Sequence, residues 1–354
     1  MSTNVLPNLV DWARRADPDG SIAIIAEMLS QCNEVMKDMI WQEGNLPLGH
    51  KTTVRVGLPQ GVWRAANQGV PSSKTMTAQF QDSIGELVDY SIVDKSLANL
   101  NGNVAKFRYS EDMGHIEGLS QQVASALFYA NEAAAPSTNS GPQTFTGFSP
   151  RYNTVSTATA KNAVNVLDAG GTGSSNLSIW LVGWGDNTTF GIFPKGSQAG
   201  LVYEDKGDIV PALDSNGNRF EAYTSMFMFK LGLCVKDWRY NVRIANVDTT
   251  TAGLQGTTPP DLFQLMSRAV VRLPTASRRL SGITESDAPS DPVPGISPAW
   301  YVNRTGREFM DIQAIRDRNV LISSKDYAGD PVVTFRDSAI RVVDALTNTE
   351  ARIV

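Results

Sequence analysis

The feature that most constrains the fold is a long two-stranded segment, residues 46–82, with little apolar surface of its own. Apolar and polar residues alternate in it with a period of two, which predicts two β-strands joined by a proline- and glycine-rich connection. The alternating apolar residues are Val54, Val56 and Leu58 in the first strand and Met76, Ala78 and Phe80 in the second. Because an isolated hairpin is marginally stable in water, we expect this one to lie against another copy of the chain.

Two helices are predicted before the middle of the chain. Residues 17–41 carry apolar side chains at intervals of three and four, and residues 110–135 do so more regularly. The second helix begins with Ser110, a good cap, followed by two acidic residues that suit a helix N-terminus. At 1.5 Å per residue it forms a rod of roughly 35–40 Å, which suits a strut.

The rest of the sequence predicts a mixed α/β region that consists mainly of strands, with helices at 260–273 and 307–318. The predicted strands are 179–182, 191–194, 201–204, 220–230, 234–245, 300–303, 332–336 and 340–345. Residues 274–298 are rich in proline and predict a long surface loop. A length of 354 residues is more than one small core organises, so we expect two or three subdomains.

A glycine-rich stretch, residues 181–200, follows an apolar run and raises the question of phosphate binding. Lys195-Gly196-Ser197 has the wrong order for a P-loop, and Thr188 stands where a dinucleotide turn needs its third glycine. The residues after it are typical of a strand rather than a helix. The stretch is therefore interpreted as a strand and a tight turn.

The search for catalytic, cofactor-binding or metal-ligating residues yields none, so the sequence predicts a protein that is not an enzyme. The two histidines, His50 and His115, have no partner motif beside them, and no nucleophile elbow is present. The pairs Asp205/Asp208 and Glu285/Asp287 are interpreted as solvated turn residues. Cys32 and Cys234 are expected to be buried, reduced thiols rather than a disulfide.

The charge and hydropathy of the chain argue against two further classes of protein, nucleic-acid-binding proteins and membrane proteins. With a net charge of -5, the chain as a whole lacks the excess of basic residues that nucleic-acid-binding proteins use. No apolar run approaches the roughly 18 residues of a membrane span, so no membrane partner is expected.

The local sequence resembles one family of tailed-phage major capsid proteins of the Hong Kong 97-like fold. The residues that carry the resemblance run across most of the chain: Ala16–Ser21, Glu43–Pro47, Leu97–Asn103, Arg108–Asp112, Phe145–Asn153, Gly191–Ser197, Asp237–Tyr240 and Arg243–Asn246. The resemblance implies an α+β capsid subunit that assembles into the pentamers and hexamers of an icosahedral head around double-stranded DNA.

The resemblance also implies a division of the chain into four regions. Residues 1–45 would form an N-terminal arm with its helix, and 46–88 an extended β-hairpin loop. Residues 89–160 would form a peripheral domain around the spine helix 110–135, completed by strands near 220–250 and 330–354. Residues 161–330 would form an axial domain.

Partners and location follow from the same resemblance. They are other copies of the chain, portal, scaffolding and decoration proteins, and packaged DNA held without sequence-specific contacts, in a virion assembled in the host bacterial cytoplasm. Trp63, Met76 and Phe80 are the candidates for contact between subunits. The alternative is that they pack within their own subunit.

Two other functions compete with this one. The first is a nanocompartment shell or another phage structural subunit of the same fold. The second is an α/β enzyme that uses the glycine-rich stretch 181–200.

Overall fold

The computed structural model describes residues 7, 31–134, 144–207, 210–213, 217–250, 253–256, 259–274, 296–316, 322–327, 330–336 and 338–354. The strands of these residues are β1 Trp41–Glu43, β2 Gly49–Gly57, β3 Met76–Ser83, β4 Gly85–Asp94, β5 Val166–Asp168, β6 Asn176–Trp184, β7 Thr189–Phe193, β8 Leu201–Asp205, β9 Val210–Leu213, β10 Arg219–Val235, β11 Asn241–Asp248, β12 Ser297–Val302, β13 Ile322–Tyr327, β14 Asp330–Phe335 and β15 Ser338–Val342. The α-helices are α1 Val35–Asp38, α2 Lys95–Ala98, α3 Val104–Tyr129, α4 Phe148–Arg151, α5 Leu262–Arg272 and α6 Arg304–Arg316.

One mixed sheet organises the body. Its strands follow the order β13-β14-β15-β12-β6-β7-β10-β4, with β1, β5, β8, β9 and β11 attached to strands of this path. The long strand β10 belongs to two regions of the sheet. Its residues 222–231 run antiparallel to β4, and its residues 232–235 run antiparallel to β7. The hairpin of β2 and β3 forms a separate two-stranded sheet.

Strand β6 is buried along its whole length because both faces of the sheet are covered. Leu177, Ile179 and Leu181 pack with helices α5 and α6 in one apolar cluster. Trp180 and Trp184 point into a second cluster on the other face, which includes the C-terminal part of α3 and helix α4. The apolar run in the sequence is therefore the centre of the fold rather than an edge beside a ligand.

An ion pair between Arg243 of β11 and Glu350 of the C-terminal tail connects these layers. Its N–O distance is 2.7 Å, and the two side chains are only 4% and 8% exposed. The Arg243 guanidinium also lies 4.9 Å from the centre of the Trp180 ring. The hydroxyl of Tyr129, the last residue of α3, donates to Glu350 Oε1 at 2.6 Å. Burial and the neighbouring Glu350 carboxylate raise the pKa of Tyr129 well above its usual range, so it stays a donor.

The strut helix α3 is present, but its limits differ from the predicted 110–135. It spans 26 residues from Val104 to Tyr129. It ends there because Ala130 takes an extended conformation and its carbonyl accepts from Gly147 N at 2.8 Å. At 1.5 Å per residue the helix is about 39 Å long, and it packs across β4 and β10.

The predicted helix 17–41 is wrong over its described part. Residues 17–30 lie outside the described residues, and helix is limited to Val35–Asp38. Trp41–Glu43 pairs parallel to Gly191–Phe193 as strand β1 instead. The open edge of β7 takes up this segment, so tertiary pairing overrides the helical periodicity.

Other predictions shift by smaller amounts. The predicted strand 234–245 is interrupted by a 3₁₀ turn at Trp238–Tyr240, which Asp237 caps by accepting from Arg239 N at 3.1 Å. The predicted helices near 260–273 and 307–318 are α5 and α6. Strand β4 was not predicted, although its residues alternate in burial. The proline-rich loop lies outside the described residues between 275 and 295.

Removal of one partner of the buried Arg243–Glu350 pair tests how much the layers depend on it. Glu350→Ala leaves a buried guanidinium without its carboxylate, and we expect the free energy of unfolding to fall by about 3–5 kcal/mol. Urea denaturation measures this change. The control is Glu221→Ala, which removes a more exposed pair with Lys95 and should cost about 1 kcal/mol or less. If both variants lost the same small amount of unfolding free energy, the claim that the layers depend on the Arg243–Glu350 pair would be contradicted.

Candidate assembly surface

The glycine-rich stretch 181–200 has the geometry of a structural turn. Thr188 Oγ1 donates to the carbonyl of Gly183 at 2.7 Å, and the Thr188 carbonyl accepts from Lys236 N at 2.8 Å. Thr188 and Thr189 are buried, and strand β7 follows the turn. The turn's polar groups thus bond to the protein itself, and a strand stands where a phosphate-binding helix would begin.

His115 has a partner that the sequence did not reveal. Its Nδ1 lies 2.6 Å from Asp89 Oδ2 of β4, and its ring stacks on Phe227 with an interplanar angle of 10°. His115 therefore fixes α3 to the sheet. Asp89 and His115 lie on different elements, 26 residues apart, and no local sequence pattern connects them.

The interpretation of Asp205 as a solvated turn carboxylate holds for its exposure, since its side chain is 42% exposed, but Asp205 is the last residue of strand β8 and is ion-paired. It pairs with Arg108 of α3 at 3.0 Å. Partial burial alone would raise the pKa of Asp205, but the hydrogen bond from Arg108 outweighs it and holds the pKa below its usual range. Asp208, Glu285 and Asp287 lie outside the described residues.

Two features matter in the described part of the chain, groups of metal ligands and helices that could span a membrane. Its histidine, cysteine and carboxylate side chains form no group of three that would hold a metal ion. Its helices are also too short or too polar to cross a membrane.

The base of the β2–β3 hairpin is held firmly by polar contacts. Arg151 of α4 donates to Asp82 Oδ1 at 2.7 Å and to the carbonyl of Leu233 at 3.1 Å. Ser83 Oγ donates to Glu132 Oε2 at 2.5 Å. Gly232 permits the close crossing of β10, because a Cβ there would lie 2.5 Å from the Ser83 carbonyl oxygen. The direction of the hairpin is thus fixed by the body of the subunit.

Beyond its base, the hairpin carries exposed apolar side chains. Trp63 is 100% exposed, Met76 59% and Phe80 56%. Val56, Leu58, Val62 and Val70 are also exposed. Apolar side chains concentrated on one projecting element are typical of an interaction surface. The described part of the chain provides no cover for them, which disfavours packing against those residues of the same subunit.

The two cysteines occupy different environments, and the expectation that both are buried is wrong for Cys32. Cys32 is exposed, whereas Cys234 is buried at the hairpin base, with its sulfur 3.5 Å from Thr52 Oγ1. Burial raises the pKa of the Cys234 thiol to about 12.

Thiol titration tests this difference. In the native, unassembled chain at pH 8, a water-soluble disulfide reagent should modify one thiol per chain, and the second only after unfolding, because the thiolate is the reactive form. Cys32→Ser should abolish the native reaction. Rapid modification of Cys234 in the folded variant would contradict the packing at the hairpin base.

Comparison with known proteins identifies this architecture. The family described as major capsid protein GP7 matches residues 17–354. A chain in the near-atomic cryo-EM structure of bacteriophage epsilon15 is 33% identical, with a TM-score of 0.74 over 99% of this chain and 98% of that chain.

More distant structures also align. The bacteriophage JBD30 capsid does so with 11% identity and a TM-score of 0.48, over 90% of this chain and 93% of that one. The SrpI encapsulin of Synechococcus elongatus aligns with 12% identity and a TM-score of 0.38, over 69% and 97%. Among curated proteins, none matches significantly.

The family match over 17–354 and the epsilon15 likeness along nearly the whole chain confirm the predicted resemblance. The chain therefore belongs to the GP7 family of major capsid proteins and is a tailed-phage capsid subunit of the Hong Kong 97-like fold.

Proposed function

We propose that this subunit assembles into the pentamers and hexamers of an icosahedral phage head that encloses double-stranded DNA. The observation that supports this most is the hairpin, which is fixed at its base and uncovered along its length. Trp63, Met76 and Phe80 would pack on a second copy, where each buries apolar surface that the described residues of its own chain leave exposed. Many such contacts, repeated by symmetry, stabilise a shell without any one being tight.

The proposal includes the division into arm, extended loop, peripheral domain and axial domain at the predicted limits. The pairing of β10 with β4 beneath α3 supports a peripheral unit that strands near 220–250 help to complete. The contact of Tyr129 with Glu350 supports a contribution from the C-terminal tail. Strands β14 and β15, which are also part of this late segment, join β12 in the central sheet.

The role is structural rather than enzymatic. The turn at 181–200 and the two histidines are used in internal contacts, which supports this part of the proposal. DNA would be enclosed without sequence-specific contacts, in keeping with a net charge of -5. Portal, scaffolding and decoration proteins would complete the head in the host cytoplasm.

Serine substitution of the three hairpin residues tests the assembly role. The variant with Trp63→Ser, Met76→Ser and Phe80→Ser should keep its urea midpoint close to that of the wild type, because exposed side chains contribute little to folding. It should fail to form shells, since buried aromatic anchors dominate interface energies. Light scattering and negative-stain microscopy measure assembly, with the head genes of the phage coexpressed.

The matched control keeps the three positions apolar, with Trp63→Phe, Met76→Leu and Phe80→Leu, and should form shells. If the serine variant formed shells in the same yield as the wild type, the hairpin would not be the assembly contact. A wild-type chain that forms no rings or shells with its head proteins would contradict the proposed function itself.

A further inference from the structure

His50 lies at the base of the β2–β3 hairpin, where the hairpin meets the body of the subunit. It is the second residue of strand β2 and is paired with Asp82 of β3. Its ring packs at a right angle to the ring of Phe190 of β7, with 5.5 Å between the ring centres. Further along β2, Thr52 Oγ1 lies 3.5 Å from the buried sulfur of Cys234 in β10. His50 is therefore part of the contact through which β2 rests on the central sheet.

One ring nitrogen of His50 is buried without a partner. Within the described residues, Nδ1 is shielded from solvent and forms no hydrogen bond. A neutral imidazole tolerates this, because Nε2 can carry the proton while Nδ1 remains an unprotonated acceptor. In a protonated imidazole both nitrogens are donors, and Nδ1–H would lack an acceptor in a site that excludes water. The packing of the hairpin base therefore favours the uncharged form of His50.

The charged groups that face His50 do not reverse this preference. Asp82 favours the protonated form, but its carboxylate already accepts from Arg151 of α4 at 2.7 Å. Lys236, directly after β10, disfavours the protonated form. Phe190, the residue of β7 in ring contact, carries no charge. Burial has the largest effect, so the pKa of His50 lies below the ordinary histidine value of 6.5.

We propose that His50 makes the hairpin base a pH-sensitive hinge, in which neutral His50 keeps β2 seated on β7 and β10 and protonated His50 releases it. In the released state, the ion pair of Asp82 with Arg151 still holds β3, so the hairpin pivots about β3 and Cys234 loses its cover. The inference concerns the single subunit. It goes beyond the proposed assembly and does not rest on it.

The direction of the pH dependence follows from linkage. A histidine whose pKa is lower in the seated state binds its proton preferentially in the released state. The seated state therefore has its full stability at neutral pH and loses it as the pH falls below about 6.5. If the released imidazole has the ordinary pKa and the seated one stays neutral, the released fraction rises by up to about thirtyfold between pH 7.5 and pH 5.

The accessibility of Cys234 measures the released fraction. The probe is a dipyridyl disulfide, which also reacts with thiols in mild acid, and the protein is the full-length, unassembled chain with Cys32→Ser. The rate in the native chain is divided by the rate in the urea-unfolded chain at the same pH, which removes the effect of pH on the thiol itself. This ratio should rise by about ten- to thirtyfold from pH 7.5 to pH 5.

Two variants in the same background separate His50 from general effects of acid. His50→Gln keeps a polar side chain that cannot be protonated, and its ratio should change by less than about twofold over the same range. His115→Gln removes the histidine at the contact of α3 with β4 and should keep the full rise. An equal rise in His50→Gln, or no rise in the parent chain, would overturn the inference. Neither result bears on shell formation, so the proposed function is tested separately.

NMR of the ring protons provides a measurement that needs no change at position 50. The chain has only two histidines, and the signal that remains in His115→Gln belongs to His50. In the folded chain this signal should titrate below pH 6.5, the ordinary histidine value. A His50 pKa at or above that value would overturn the inference.

Discussion

The buried ion pair between Arg243 and Glu350 is the contact on which the other parts of the subunit depend. Arg243 also donates to the Tyr152 carbonyl at 2.9 Å and to Ser178 Oγ at 3.0 Å, so its guanidinium joins three segments beside the Trp180 ring. Glu350 extends the network to the end of α3 through Tyr129. A buried charge is costly unless it is paired and hydrogen-bonded. The C-terminal tail, the strut helix and the central sheet are therefore held in one arrangement.

That fixed arrangement gives a marginal hairpin a rigid base. Asp82 and Ser83 attach its base to Arg151 and Glu132, so the hairpin projects from a rigid body. Beyond that base, the part of the chain that the structure describes leaves the apolar side chains of the hairpin exposed. The core of the subunit is thus packed within one chain, whereas the projecting hairpin keeps exposed apolar side chains. In the proposed assembly a second copy covers that surface, so the stability of the shell would depend on a contact between chains.

Much of the fold was predictable from local periodicity, and the exceptions have physical causes. The strut helix was predicted from the spacing of its apolar residues, and β6 from a continuous apolar run. Strand Trp41–Glu43 was not, because it pairs with the edge of β7 and so joins the sheet. The pairs Asp89–His115 and Arg243–Glu350 join residues far apart in sequence, and no local pattern connects them. The candidate contact residues were accessible to sequence reasoning because a hairpin with so little apolar surface of its own needs an external partner.

Hydrogen exchange of the hairpin amides, compared between the unassembled subunit and the assembled shell, tests the central claim most directly. The account predicts fast exchange across residues 58–75 in the single subunit, since no second chain covers them. It predicts strong protection there in the shell. Equal protection of the hairpin in both states, or fast exchange that persists in the shell, would contradict the claim that the hairpin is completed by another copy.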